Sequence, residues 1–206
     1  MTDITAQNNA NDAATESTIL LLLGHRSIVL IGMMGVGKSS IGRRLGARLG
    51  VPFVDADAEI EKAAGMSIAD IFARHGEADF RSGEARVIAR LLEGGPQVLA
   101  TGGGAVMAAD TRAAIKAKGV SIWLSADFDV LMRRILKRKN DRPMLQTADP
   151  AATLRQLLTE REPIYAQADI AVHSREVPHD AIVAEIMRDL AAFLNTRAAP
   201  PAKDGA

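Results

Sequence analysis

Residues 27–41 read SIVLIGMMGVGKSSI. Ser27–Ile31 is a short apolar run, as expected of a strand buried on both faces, and Lys38–Leu49 carries helical spacing. Between them Gly32-Met33-Met34-Gly35-Val36-Gly37-Lys38-Ser39 matches the pattern G-x-x-x-x-G-K-[ST]. A glycine loop at such a junction curls backbone N–H groups around phosphate oxygens, and the helix N-terminus adds its partial positive charge. Lys38 is then placed to reach the outer phosphates, and the Ser39 hydroxyl to ligate Mg²⁺. The alternative is a glycine-rich turn whose lysine only faces water, and the strand before it and helix after it weigh against that. Nucleotide contacts are expected from Gly35, Val36, Gly37, Lys38, Ser39 and Ser40, the last a first-turn helix residue.

Outward from this loop, apolar runs alternate with amphipathic stretches. Further strands are expected at Pro52–Val54, Gln97–Ala100, Val120–Leu124 and Asp169–Val172. Helices are expected from the Ser67 cap to Arg74, over Glu77–Leu92, Thr111–Lys118 and Asp127–Leu136, from Asp149-Pro150 to Thr159, and over Pro178–Leu194. That alternation predicts an α/β fold with a five-stranded parallel sheet and helices on both faces. Ligands in such folds bind at the carboxyl ends of the strands.

The phosphate cradle does not say what receives a phosphoryl group. Asp55-Ala56-Asp57 ends the second strand, and residues two apart in an extended chain share a face, so both carboxylates are expected in the cleft. Asp57 has a second reading, as the cap of the following helix. Arg81, Glu84 and Arg86 lie on one helical stretch, where a solvated charged face is the usual explanation. Thr101-Gly102-Gly103-Gly104 follows the third strand and either offers bare backbone to a ligand or is a flexible loop. Arg133–Arg142 holds six basic residues against one acid, with no aromatic side chain to stack a base, and fits a mobile lid about residues 137–149. Arg161, in Glu160-Arg161-Glu162-Pro163-Ile164-Tyr165, taken alone reads as a surface charge or a carbonyl cap.

The chain has 206 residues with 25 basic and 25 acidic side chains, so no net field attracts nucleic acid or an anionic membrane. With no cysteine there is no disulfide framework and no thiolate metal site. Residues 1–24 are expected as a disordered or loosely docked leader, 25–196 as the folded domain, and 197–206 as a disordered tail. Asp3, Asp12 and Glu16 ahead of Ile19–Leu23 argue against a secretory signal. A cytoplasmic protein is expected.

Taken in order, these motifs resemble the shikimate kinase family, over about Ser27 to Val172. The resemblance implies a P-loop NTPase three-layer sandwich with a mobile lid, and transfer of a phosphoryl group from ATP to the 3-hydroxyl of shikimate. It implies that Asp57 binds the reactive hydroxyls, that Asp55 and Ser39 hold Mg²⁺, and that Arg81 and Arg161 clamp the shikimate carboxylate. Gly102, Gly103 and Gly104 match the backbone against which shikimate rests, and Arg142 the lid arginine that closes on the phosphates. Lys38, Asp57 and Arg142 are thus the expected catalytic residues. Glu84 matches a partner that orients the substrate-side arginine. Arg134 or Arg138, with Arg175, are candidates for adenine. Met144 stands where the family commonly has leucine, a volume-conserving exchange. The implied partners are shikimate and ATP alone, in a monomer, with neither nucleic acid nor membrane.

Two other readings compete. A kinase of another small hydroxy acid, such as gluconate, would share the cradle, but Arg81, Arg161 and the triple glycine weigh against it. A silent nucleotide-sensing domain would be expected to lack one acceptor-side residue, and none is missing.

Overall fold

The computed structural model describes residues 2–137 and 149–198. Its strands are β1 (Ser27–Ile31), β2 (Phe53–Asp55), β3 (Val98–Ala100), β4 (Gly119–Ser125) and β5 (Ile170–His173). Its helices are α1 (Thr2–Leu23), α2 (Lys38–Leu49), α3 (Ala56–Ala64), α4 (Ile68–Leu91), α5 (Ala109–Lys118), α6 (Phe128–Lys137), α7 (Pro150–Tyr165) and α8 (His179–Ala198), with a short 3-10 turn at Ala105–Met107.

The five strands form one parallel sheet in the order β2-β3-β1-β4-β5. β1 is buried at all five positions, which is why its sequence is a continuous apolar run rather than an alternating one. From β1 the chain reaches β2 in one direction along the sheet, and from β3 it reaches β4 in the other. Right-handed crossovers then put α2 and α5 on opposite faces. α8 and α1 pack with α2, while α4 packs with α5. The core runs through both layers, from Ile28, Leu30, Leu99 and Ile122 in the sheet to Leu45, Ile88 and Ile186 on the helices.

Two local features set the loops at the carboxyl edge. Gly32 turns the chain out of β1 at φ 132°, and a Cβ there would lie 2.2 Å from the Leu124 carbonyl oxygen, so the close approach of β4 admits only glycine. Gly76 breaks α4 with φ 80° and ψ 175°, dividing it into the two helical stretches expected from sequence.

The amino-terminal segment departs from expectation. Residues 2–23 form a helix rather than a disordered or loosely docked leader, with Ile19 and Leu23 fully buried and Leu21 exposed. Gly24 ends it at φ 61°, Arg26 donates to the Leu22 and Leu23 carbonyls, and Glu16 pairs with Arg48 of α2 at 3.0 Å. The aperiodic Asn, Asp and Ala residues at its start concealed the helix, whose anchor is the last turn. At the other end, Arg197 belongs to the last turn of α8, stacked over Phe193, and not to the tail. No described helix is long and apolar enough to cross a membrane.

If α1 shares the core, Ile19→Ala should lower the unfolding free energy by about 2–4 kcal/mol, as for other buried aliphatic residues, in urea denaturation. A loss under about 0.5 kcal/mol would mean that the helix does not contribute to the fold.

Candidate active site

The phosphate loop occupies residues 32–39, between β1 and α2. The Lys38 ammonium donates to the carbonyls of Gly32 at 2.7 Å and Met33 at 3.1 Å, folding the lysine across its own loop. Val36 is buried, and its carbonyl accepts from Arg134 Nη1 at 3.1 Å, the same nitrogen reaching Ser174 Oγ at 3.4 Å. Of the basic residues considered for adenine, Arg134 therefore stands against the loop, while Arg175 pairs with Glu185 at 2.8 Å. Arg138, Arg142 and Met144 lie outside the described residues. So does the lid segment, apart from Lys137 at the end of α6 and Asp149, which caps α7 by accepting from the amides of Ala151 and Ala152.

The two aspartates are arranged differently from the expected extended strand. Only Asp55 is in β2; the chain enters α3 at Ala56, and Asp57 lies in its first turn. The capping role falls to Asp55, whose Oδ1 accepts from the Asp57 amide at 3.2 Å. Its Oδ2 accepts from Ser39 Oγ at 2.8 Å, tying the start of α3 to the start of α2. A helix N-terminus, not a strand pleat, brings the second carboxylate to the site.

The glycine turn gathers the other groups. A Cβ on Gly102 would lie 2.7 Å from Glu84 Oε1 and 2.9 Å from Asp57 Oδ1. On Gly104 it would lie 2.6 Å from the Arg81 guanidinium, and on Gly103 3.4 Å from Arg161 Nη1. The turn is thus the surface against which two carboxylates and two guanidinium groups are laid. Arg81 donates to Glu84 Oε2 at 2.8 Å and to Glu77 at 3.1 Å, so acids one turn away on each side fix its direction. Arg161 is only 6% exposed, which removes the reading of it as a surface charge. Arg86 does not join them. It faces an open groove of about 780 Å³ between α3 and α4, lined also by Ile60, Met66, Ile71 and Val87, on the opposite side of α4 from Arg81 and Glu84.

Sequence reasoning missed Glu77, although an acid four residues ahead of an arginine is a recognisable helical pair. It also missed the link from Arg134 to Val36, which joins positions 98 residues apart.

Glu84 is a charged side chain at a cost. It is 2% exposed, and its Oε1 has no hydrogen-bond partner among the described residues. Burial pushes its carboxyl above the ordinary 4.5, against the pull of the Arg81 hydrogen bond. The folded chain therefore holds that proton more tightly than the unfolded chain, and stability falls as pH rises from about 4.5 through the raised value. In Glu84→Gln this loss should vanish, so the melting temperature of the variant should gain on that of the parent as pH climbs through that window and then level off. A gap that moves the other way would contradict the burial of a charge at this position.

The family model for shikimate kinases matches residues 34–191, which include the phosphate loop from Met34 onward, the glycine turn and Arg161. A shikimate kinase of Bradyrhizobium diazoefficiens is 65% identical over 192 residues, covering 92% of each chain. One from Nitrobacter winogradskyi is 60% identical over 185 residues, covering 90% of this chain and 86% of its own. Among solved structures, the shikimate kinase of Acinetobacter baumannii in complex with shikimate aligns with a TM-score of 0.78 at 34% identity, over 85% of this chain and 96% of that one. Likeness of this extent reaches the sheet, both loops of the site and the helices that carry its arginines, and on it the chain belongs to the shikimate kinase family.

Proposed function

We propose that this chain transfers the terminal phosphoryl group of ATP to the 3-hydroxyl of shikimate, giving shikimate 3-phosphate and ADP on the route to chorismate. The observation that carries this reading is the meeting of Arg81, Arg161 and Asp57 at one glycine turn beside the phosphate loop. A planar guanidinium matches a carboxylate through two parallel hydrogen bonds, so a pair of them selects an acid over a neutral polyol. Asp57 then faces the hydroxyl side of the acceptor, and its carboxylate accepts the hydrogen bond of the attacking group.

The phosphates of ATP enter the loop at the N-terminus of α2, where Lys38 exchanges the Gly32 and Met33 carbonyls for phosphate oxygens. The 3-hydroxyl oxygen forms its bond to the γ-phosphorus as the bond to the ADP oxygen breaks, in line. Lys38 offsets charge on the transferring group, and Arg142 does so from the lid in the role the family resemblance gives it. The protein's work is placement and electrostatics more than covalent chemistry.

Ser39 Oγ and Asp55 Oδ2, 2.8 Å apart, offer the hydroxyl and carboxylate oxygens that suit Mg²⁺, an ion that takes most of its remaining ligands from phosphate and water. They would hold it, and when bound it draws charge from the phosphate oxygens. We read the chain as a monomer, as the family resemblance implies, and as cytoplasmic, where the MgATP it consumes is supplied.

Removing one charge-assisted clamp should show mainly in acceptor binding, because the carboxylate does not react. Arg161→Ala should raise the shikimate KM about ten- to a hundred-fold and leave the MgATP KM nearly unchanged. The parent enzyme should in turn discriminate against shikimate methyl ester, and the variant should lose most of that preference. An unchanged shikimate KM would remove Arg161 from the clamp. Lys38→Ala should lower kcat by about a thousand-fold or more with the fold retained; near-normal turnover would refute its role.

A further inference from the structure

Tyr165 closes the Glu160–Tyr165 stretch, and nothing in the chemistry above uses it. It is the last residue of α7, is 1% exposed, and lies four residues after Arg161, hence on the same face of the helix. A phenol so deeply buried is expected to have a partner for its hydroxyl. That partner is the Gly103 carbonyl, to which the Tyr165 hydroxyl donates across 62 residues of chain. The ring itself is held by Trp123 of β4, with centroids 6.1 Å apart and planes tilted by 33°. The hydroxyl also accepts a hydrogen bond from Arg161; burial pushes the phenol up to about 12 against the charge and hydrogen bond of that arginine, so it keeps its proton, and its capacity to donate, at neutral pH.

Gly103 is the middle of the acceptor turn and the point where three parts of the site come together. A Cβ there would lie 3.4 Å from Arg161 Nη1, 3.5 Å from the Gly32 carbonyl and 3.5 Å from the Met34 amide. The peptide plane is stiff, so fixing the Gly103 carbonyl fixes the Gly104 N–H on its far side, away from Tyr165. A run of three glycines has little conformational preference of its own. The amides of Ala105 and Met107 hold the Gly102 and Gly104 carbonyls, at 3.2 and 3.0 Å, which leaves the Gly103 carbonyl to be fixed by Tyr165.

We propose that Tyr165 is a positioning residue for the acceptor, its hydroxyl setting the orientation of the Gly102–Gly104 turn and the place of Arg161 relative to the phosphate loop. This rests on the acceptor site assigned above. It makes the end of α7 a brace with two functions, one carrying the arginine and one holding the backbone against which the substrate lies. The alternative, a tyrosine that only fills space between α7 and β4, requires the ring but not the hydroxyl.

Tyr165→Phe separates the two, since it keeps the ring on Trp123 and deletes only the hydroxyl, which donates to the Gly103 carbonyl and accepts from Arg161, leaving a buried carbonyl unpaired and the arginine without that tether. The KM for shikimate should rise about ten-fold, in keeping with the cost of an orphaned buried acceptor, while the MgATP KM stays within about two-fold and kcat falls less than the shikimate KM rises. In ¹H–¹⁵N spectra of the full chain, the amides of Gly102, Gly103 and Gly104 should shift while those of β5 and α8 stay in place. A fall in melting temperature with both KM values unchanged would make Tyr165 a packing residue and overturn the proposal. Equal rises in both KM values would overturn it as well, by placing the effect outside the acceptor side. If the parent enzyme gave no turnover with shikimate, the assigned acceptor would be wrong. The spectra would still report whether the hydroxyl orders the turn.

Discussion

The parallel pairing of β1 with β3 is the constraint on which the site depends. Leu30, one residue before the end of β1, accepts at its carbonyl both the Thr101 amide at 3.1 Å and the Thr101 hydroxyl at 3.2 Å. The loops that follow these two strands are the phosphate cradle and the glycine turn, so this register sets them side by side. A slip along the ladder would carry Gly103 away from Gly32 and Met34, and with it the acceptor from the phosphate. Donor and acceptor are thus aligned by backbone hydrogen bonds inside the sheet, before any functional side chain is considered. The side chains then come from elements that need only reach this edge: α2 with Lys38 and Ser39, α3 with Asp57, α4 with Arg81 and Glu84, and α7 with Arg161.

Function has a cost in stability at this edge. A carboxylate nearly out of solvent, two guanidinium groups against bare backbone and three successive glycines are each poor choices for a stable fold. They are tolerated because the sheet and the layers around it bury a continuous apolar core, from Ile28 and Leu99 to Ile186 and Leu190. The buried acid also has a clear use. Glu84 and Glu77 hold Arg81 from either side, so the guanidinium is set in direction before a ligand arrives and less ordering is left for the moment of binding.

Much of this was legible in the sequence because its signals are local. The apolar run Ser27–Ile31, the glycines after it and the periodicity of Lys38–Leu49 each report on a few neighbouring residues, and together they specify a strand, a phosphate loop and a helix. The acceptor side was legible only through family resemblance, because Arg81, Gly104 and Arg161 meet in space while lying far apart in the chain. Asp55 and Asp57 were selected with the wrong geometry: the chain turns into α3 one residue earlier than a strand reading allows, and capping falls to Asp55. The helix over Thr2–Leu23 escaped because its first half has no apolar stripe, and its attachment through Ile19, Leu23 and the Glu16–Arg48 pair is a tertiary fact. The role of Tyr165 escaped for the same reason.

Under the function proposed above, one edge of the sheet joins an ATP cradle to a site for a hydroxy acid with shikimate's carboxylate and 3-hydroxyl. The most direct measurement is ADP release from MgATP in the presence of shikimate, run beside gluconate, quinate and no acceptor, in the parent enzyme and in Asp57→Asn. Turnover should depend on shikimate, far exceed that with the other acids, and be lost in the variant. Firm MgATP binding with no shikimate-dependent ADP release would contradict that function, leaving a real phosphate cradle and a wrongly assigned acceptor.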